Sequence, residues 1–280
     1  MGSLVSDAGS VGFYGAMASA FASGWSDNIT GHTAVMADYQ SRYDNTIAYV
    51  SPEFAGVKVF AQYAMGDTNE NKNTNDRYAA LGAEWKAGAL DVGFLVDWLD
   101  KDDSKIFKND PNLQDTYTFN LAGSYDCGFA KTFMAVQYFK DARDAGSVLD
   151  SMGIYDLDTY SSLYPNEPAR AEKALKFSRA AISNTGYGVH IGTTFEALGG
   201  NWLAGIGYME ADIDYANDGQ LADSKAYTAS LGYEYSLSKR TMLYTGAGYV
   251  KREADINGTN VDASWEQESY DFVAGLVHKF

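Results

Sequence analysis

The sequence is poor in cysteine, in positive charge and in long apolar runs. Its one cysteine, Cys127, leaves no partner for a disulfide within the chain. A formal net charge of −16 argues against nucleic-acid binding, because neutralising phosphates requires a basic surface. No stretch reaches about 18 consecutive apolar residues, so the sequence offers no candidate transmembrane helix.

Histidine is also scarce, and its positions argue against catalysis. The three histidines are His32, His190 and His278, and none lies beside a serine in a nucleophile-like arrangement. No H-x-x-x-H or paired-cysteine spacing suggests a metal site. We therefore expect no catalytic residue, no metal and no cofactor. A barrel-shaped lipid hydrolase is the enzymatic alternative.

Tyrosine and glycine, by contrast, are abundant. There are 21 tyrosines and 28 glycines but only 4 prolines, and aromatic residues make up 14% of the chain. Tyrosine suits places where one end of the ring is apolar and the other wet, as at a bilayer interface. This composition fits a soluble β protein and favours a transmembrane β-barrel, whose strands alternate apolar-out and polar-in.

Alternating polarity predicts eleven strands bounded by turn residues. In the stretch LDVGFLVDWL, for example, Phe94 and Trp98 lie on one face, and Asp91 and Asp97 lie on the other. The predicted strands cover residues 45–51, 57–66, 77–87, 90–101, 116–126, 129–141, 186–197, 201–213, 226–237, 241–253 and 269–280. In the tenth, Tyr244 and Tyr249 fall on opposite faces, and we expect a β-bulge to reconcile them.

The faces opposite the apolar ones consist of glycine, serine, threonine, asparagine and acidic residues. Such faces are too polar for the interior of a soluble sandwich, whereas a water-filled lumen hydrates them directly. We therefore expect Asp91, Asp97 and Glu234 to face a lumen. A large soluble β-sandwich with one wet face is the structural alternative.

The connections alternate between tight turns and long polar loops, as periplasmic turns and extracellular loops do in outer-membrane barrels. The long connections are residues 67–76, 102–115, 142–185, 214–225 and 254–268. In the third, PARAEKALKFSRAAI predicts a short helix with Pro168 near its start. Its basic residues form either a solvated face or a strip facing acidic loops or lipid phosphates; they are Arg170, Lys173, Lys176 and Arg179.

Four stretches resemble the trimeric general-diffusion porins of Gram-negative bacteria, especially the betaproteobacterial branch. They are DNTIAYVSPEFAGVKVFAQYAMG, YGVHIGTTF, YEYSLSKRTMLYTGAGYVK and the ending AGLVHKF. The resemblance implies a transmembrane, antiparallel, up-and-down β-barrel of the sixteen-stranded type. It also implies a passive channel for small hydrophilic solutes and ions, placed in the outer membrane as a homotrimer surrounded by lipid.

The same resemblance gives a role to the last strand. Tyr270, Phe272, Leu276 and Phe280 share one face of it. They resemble the terminal signal that the barrel-assembly machinery recognises, which it can bind by pairing with a strand edge. We therefore expect these four residues to form an assembly signal as well as a lipid-facing wall.

The chain departs from the family pattern at its start. NTIAYVSPEF resembles the family's sixth strand, so the eleven strands correspond to strands six to sixteen. The beginning, MGSLVSDAGSVGFYG, has no basic region followed by an apolar one, and so does not resemble a signal peptide. Bacterial single-chain barrels have an even strand number, and five missing strands would restore it. At roughly 15 to 20 residues per strand and link, we expect about 100 further residues upstream and expect Met1 to be internal.

The resemblance makes residues 1–43 the loop that constricts the lumen and residues 44–280 a partial barrel. The loop's small residues would let it pack against the wall. Asp27, Asp38 and Asp44 are its candidate selectivity residues, with Arg42 as a possible ion-pair partner; carboxylates at a narrow lumen favour cations. The family often has arginine where this chain has Ala48. The alternatives are a substrate-specific channel of the same fold and a soluble β-sheet binding protein.

Overall fold

The computed structural model describes residues 19–21, 25–26, 29, 32–37, 45–65, 77–100, 114–154, 156–172, 182–215, 219–257 and 262–280. Eleven strands dominate these ranges: β1 Thr46–Val50, β2 Val57–Ala64, β3 Arg77–Ala87, β4 Leu90–Asp100, β5 Thr116–Asp126, β6 Ala130–Ala142, β7 Ile182–Ala197, β8 Gly200–Tyr215, β9 Gly219–Ser238, β10 Thr241–Asn257 and β11 Asp262–His278. The prediction of eleven strands is confirmed.

The strands form one antiparallel sheet in chain order, so each pairs with its sequence neighbours. Tight turns lie at one end of the sheet, which we call the turn end; residues 198–199, for instance, join β7 to β8 with φ angles of 55° and 79°. The opposite end is the loop end. Within the described ranges, β1 and β11 are the two outermost strands and each pairs along one edge. None of the described helices has the length and apolar character needed to span a bilayer.

Two short helices follow β6, namely α1 (Val148–Ser151) and α2 (Leu157–Leu163). Asp156 caps α2 by accepting a hydrogen bond from the backbone N–H of Asp158 at 3.0 Å. Residues 168–172 are also helical, as predicted from the position of Pro168. Lys173, Lys176 and Arg179 lie outside the described residues.

The two faces of the sheet differ in what they contact. We call the face that the described residues between positions 19 and 37 cover the inner face, and the opposite one the outer face. On β4, Leu95 packs with Val35 and Met36 on the inner face, whereas Phe94 is exposed on the outer face. The outer face exposes a band of large apolar side chains that includes Leu81, Phe94, Leu121, Met134, Ile191, Ile206, Leu231 and Phe272.

Aromatic residues border this band at both ends. The loop-end belt consists of Trp98, Tyr117, Tyr138, Tyr187, Tyr208, Tyr227, Tyr249 and Tyr270, and its rings approach one another across strands, as Tyr208 and Tyr227 do at 5.3 Å. The turn-end belt includes Trp85, Tyr125, Phe195, Trp202 and Tyr233. Tyr235 is also exposed on the outer face at the turn end, and it lies eight residues from Tyr227 on β9, or about 27 Å along the strand, which is close to the height of the apolar band of an outer-membrane barrel.

The polarity of the faces reverses beyond the loop-end belt. On β8, Glu210, Asp212 and Asp214 follow Tyr208 on the outer face, while Ala211 and Ile213 are buried on the inner face. β7 to β11 continue through this region, so β9 begins at Gly219 and β11 at Asp262. The predicted long connections 214–225 and 254–268 are therefore wrong, because most of their residues are strand.

The expected bulge between Tyr244 and Tyr249 is also wrong. β10 keeps continuous register with β11 throughout, and its register with β9 shifts only between Thr241 and Met242, at the turn. The two tyrosines do face opposite ways. Tyr244 stacks on Trp25 at 4.7 Å on the inner face, and Tyr249 contacts Tyr270 at 5.1 Å on the outer face.

Candidate functional site

The candidate site is the inner face of the sheet and the segment that covers it. We call the described residues between positions 19 and 37 the inner segment. Its large apolar side chains point onto β7 to β10 and are buried there; they are Phe21, Trp25, Ile29, Val35 and Met36. A short 3₁₀ turn at His32–Val35 places Val35 at the centre of this contact.

Glycines of the wall make room for these side chains. A Cβ on Gly188 would overlap the carbonyl oxygen of Val35, and a Cβ on Gly246 would overlap Ile29. A Cβ on Gly232 would come within 2.9 Å of the Trp25 ring. The small residues were expected in the loop, but at these contacts they belong to the strands.

Trp25 anchors one end of the inner segment. Its indole N–H donates a 2.7 Å hydrogen bond to the Glu234 carboxylate, and its ring stacks on Tyr244 at 4.7 Å with an interplanar angle of 17°. Asn201 donates a second hydrogen bond, of 3.1 Å, to the same carboxylate. Both donors are neutral, so neither places a positive charge beside this carboxylate.

A buried polar network anchors the other end. The backbone N–H of Ala37 donates to the side-chain oxygen of Gln137 at 2.7 Å, and the Gln137 amide donates to Asn120 at 2.8 Å. Asn120 in turn donates to Thr118 at 2.8 Å and to the Asp97 carboxylate at 3.3 Å. These wall side chains are almost completely buried, so the network fixes the segment against β4 to β6.

The residues predicted to face a lumen all lie on the inner face, in different surroundings. Asp97 belongs to the buried network, and Glu234 holds Trp25. Asp91 lies at the turn end, 3.5 Å from the ammonium group of Lys86, which also pairs with Glu84 at 2.7 Å. Lys86 is shared by Glu84 and Asp91, so it offsets only part of the negative charge of this pair. Asp27, Asp38, Arg42 and Asp44 lie outside the described residues.

Mixed charge surrounds Asp91. An open cavity of about 550 Å³ at the turn end is lined by Lys86, Asp91, Ser124, Asp126 and Lys131. The ammonium group of Lys131 lies 5.1 Å from the Phe133 ring centre. Cations and anions alternate here, so this end of the inner face is wet and has no single sign of charge.

Of the four residues predicted as an assembly signal, Tyr270, Phe272 and Leu276 lie on the outer face of β11, and Phe280 follows two residues beyond its last residue, His278. All four side chains are exposed. The Phe280 ring meets the His278 ring edge-on at 5.0 Å. The terminal strand thus presents a continuous aromatic and apolar surface on the side that carries the outer belts.

Sequence reasoning missed the residues that hold the inner segment. Trp25, Gln137 and Asn120 are uncharged and are not among the residues predicted for the constriction, all of which are charged. A signal existed for Trp25, since it is the one tryptophan within the glycine- and alanine-rich stretch before residue 44. Gln137 and Asn120 had no such signal, because a polar residue on a polar face is unremarkable until its partner strand is known.

Comparisons with known proteins agree with this architecture. A family model described as Gram-negative porin matches residues 4–255. An outer membrane porin protein of Bordetella pertussis is 24% identical over 250 residues, covering 85% of this chain and 58% of that protein. The chain therefore spans somewhat over half the length of that curated relative.

Solved structures show the same fold. An anion-selective porin from Comamonas acidovorans superposes with a TM-score of 0.54 at 19% identity, covering 89% of this chain and 64% of that one. OmpT of Vibrio cholerae, described as a trimer form, gives a TM-score of 0.51 at 17% identity, covering 90% and 75%. The outer membrane channel DcaP of Acinetobacter baumannii gives 0.50 at 15% identity, covering 93% and 69%.

Proposed function

Because the chain belongs to the Gram-negative porin family, we propose that it forms the wall of a passive channel for small hydrophilic solutes and ions. Its place is the outer membrane of a Gram-negative bacterium. Residues 1–43 constitute the constricting loop and residues 44–280 the barrel wall. Solutes pass by diffusion, without catalysis or energy input.

One observation carries this proposal, namely the opposite characters of the two faces. The outer face is apolar between two aromatic belts, so it suits lipid. The inner face is polar and glycine-rich, and it is covered by a segment docked through Trp25 and Ala37. A segment held against the inside of a wall narrows the space beside it, which is how a channel sets an upper limit on solute size.

We propose further that the channel favours cations. The chain carries a net charge of −16, and Glu234 places a carboxylate at the docked segment, where its hydrogen-bond donors Trp25 and Asn201 are both neutral. Asp27, Asp38 and Asp44 would strengthen the bias, with Arg42 partly offsetting it. The anion-selective porin resembles this chain in fold at 19% identity, so the ion preference of this chain depends on its own charges.

The proposed partners follow from the same surfaces. Three copies would associate as a homotrimer, as one structural neighbour of the same fold does. Lipid would cover the remaining apolar band. The barrel-assembly machinery would bind the last strand through the face that carries Tyr270, Phe272, Leu276 and Phe280.

The test is electrophysiology of the purified protein in planar bilayers. We expect stepwise, ohmic conductance and, under a tenfold potassium chloride gradient, a reversal potential on the cation side, below the ideal value of about 59 mV. Liposome swelling should show uptake that falls with solute size. Absence of conductance would overturn the channel, and a potential on the anion side would overturn the cation preference alone.

A further inference from the structure

A second segment folds onto the inner face after β6. Residues 143–152, which we call the strap, leave β6 at Asp141, where φ is 53° and the register with β7 is interrupted. Asn184 of β7 donates a hydrogen bond of 3.1 Å to the carbonyl of Arg143. The chain therefore turns toward the inner segment at the loop end.

The strap is fastened by hydrogen bonds of its own, and its apolar side is buried. The Asp144 carboxylate accepts three backbone N–H groups, from Ala145 at 2.8 Å, Leu149 at 3.1 Å and Asp150 at 3.0 Å. Ala145 and Val148 are fully buried against alanines 211, 226 and 254 of β8 to β10. Apolar packing of this kind on the inner face occurs where the polarity of the strands is reversed, beyond the loop-end belt.

The strap joins the inner segment to the far part of the wall through Gly146. The N–H of Gly146 donates to the carbonyl of Met36 at 2.8 Å, beside a β-bridge between Ala37 and Ala145. The carbonyl of Gly146 accepts a 2.6 Å hydrogen bond from Nε of Arg252 on β10. A side chain at position 146 would come within 2.7 Å of the Ala34 carbonyl oxygen, and φ there is 60°, so glycine is required.

These contacts make one continuous tie across the inner face. Gln137 of β6 holds Ala37, Ala37 adjoins Ala145, and Arg252 of β10 holds Gly146. Three strands separate β6 from β10. We infer that the strap fixes the position of the inner segment and that Arg252 is the positioning residue of the strap. Releasing the strap makes the pore dimensions fluctuate. This inference rests on the channel function proposed above.

Cross-linking tests the packing without any need for conduction. The change is Ala37→Cys with Ala145→Cys, in a Cys127→Ser background, because directly opposed residues have Cβ atoms about 4.5–5.5 Å apart. We expect near-complete disulfide formation in native outer membranes. The control pairs Ala37→Cys with Ala130→Cys, which lies seven residues, or about 24 Å, along β6 from Gln137 and should not cross-link. An unlinked Ala37–Ala145 pair would overturn the inference.

Single-channel recording tests the positioning role. Arg252→Gln removes a charge-assisted hydrogen bond, so the fraction of time in altered conductance levels should rise roughly 10- to 100-fold. The matched control is Lys251→Gln, the neighbouring cation on the outer face, which should leave the recordings unchanged. Adding the oxidised Ala37–Ala145 disulfide to Arg252→Gln should return the fraction of time in altered conductance levels to that of the unaltered protein. A disulfide does not replace the lost charge, so this rescue would show that Arg252 acts by positioning the strap.

The outcomes separate the two ideas. If the unaltered protein does not conduct, the channel proposal fails while the cross-link still decides where the strap lies. If it conducts and Arg252→Gln changes only the ion preference, or if the disulfide fails to restore quiet openings, Arg252 does not act through the strap.

Discussion

Trp25→Ala should detach one end of the inner segment while leaving the barrel wall folded. Trp25 is 7% exposed and makes three contacts at once: the stack on Tyr244, the fit against the wall glycines, and the hydrogen bond to Glu234. Removing a buried tryptophan typically costs about 3–5 kcal/mol, and part of that here is the hydrogen bond to a carboxylate, worth about 1.5–3 kcal/mol.

This free energy belongs to docking of the segment, because Trp25 lies outside every strand of the sheet. The population of undocked segment should therefore rise by roughly two to three and a half powers of ten. In single-channel recordings we expect larger and noisier conductance, and in native membranes faster proteolysis of the segment. Trp25→Phe keeps an aromatic ring beside Tyr244 but loses the hydrogen bond and part of the fit against Gly232 and Gly246, so its effect should be intermediate.

The matched control is Trp202→Ala on the outer face. Trp202 also meets a tyrosine, Tyr233, at 4.8 Å, but it belongs to the turn-end belt. We expect it to lower the yield of assembled protein without changing open-channel noise. If Trp25→Ala leaves conductance, noise and protease resistance all unchanged, the segment is not held by this anchor and the docking argument is refuted.

Three further changes test separate parts of the site. Glu234→Gln keeps an acceptor for the indole but removes the charge, so the reversal potential should move toward zero with little change in noise; an unmoved potential would exclude Glu234 from the ion path. Gly188→Ala should expel the inner segment and raise conductance. Gly192→Ala on the same strand should be tolerated, because the nearest atom lies 3.2 Å from the added Cβ. Equal behaviour of the two variants would contradict the fit of the segment against the wall glycines. Deleting Phe280 should reduce heat-modifiable folded protein while Lys279→Ala does not, and unchanged amounts of folded protein would count against the assembly signal.

The strands within the bilayer could be predicted because one rule holds along them. Most large apolar residues face out and most inward residues are small or polar, as Phe94 and Asp97 show on β4, while Leu95 of the same strand packs inward against the inner segment. The rule fails beyond the loop-end belt. There Ile213 faces in and Asp212 faces out, so the same alternation continues with opposite polarity, and the prediction ended β8 early and began β9 late.

The candidate site was predicted only in part, for a different physical reason. The side of each strand follows from two-residue periodicity, so the inner-face position of Glu234 could be derived. Its contact with Trp25 joins residues 209 positions apart, and no local pattern encodes such a pairing. Tyr244 is an example. Its partner Trp25 is distant in the sequence, so the alternation pattern alone places an aromatic ring on a polar face and predicts a bulge that the strand does not have.

The reversal of face polarity at the loop-end belt also sets the thickness of membrane that this wall tolerates. A bilayer thicker than the distance between the belts would draw Glu210 and Glu268, each held by two tyrosine hydroxyls, into hydrocarbon. A thinner one would leave residues such as Ile206 and Leu231 in water. Hydrophobic mismatch is penalised in both directions. The distance between the belts therefore sets the hydrophobic thickness of bilayer that the chain prefers, and lipids of unmatched length should slow its insertion or deform around it.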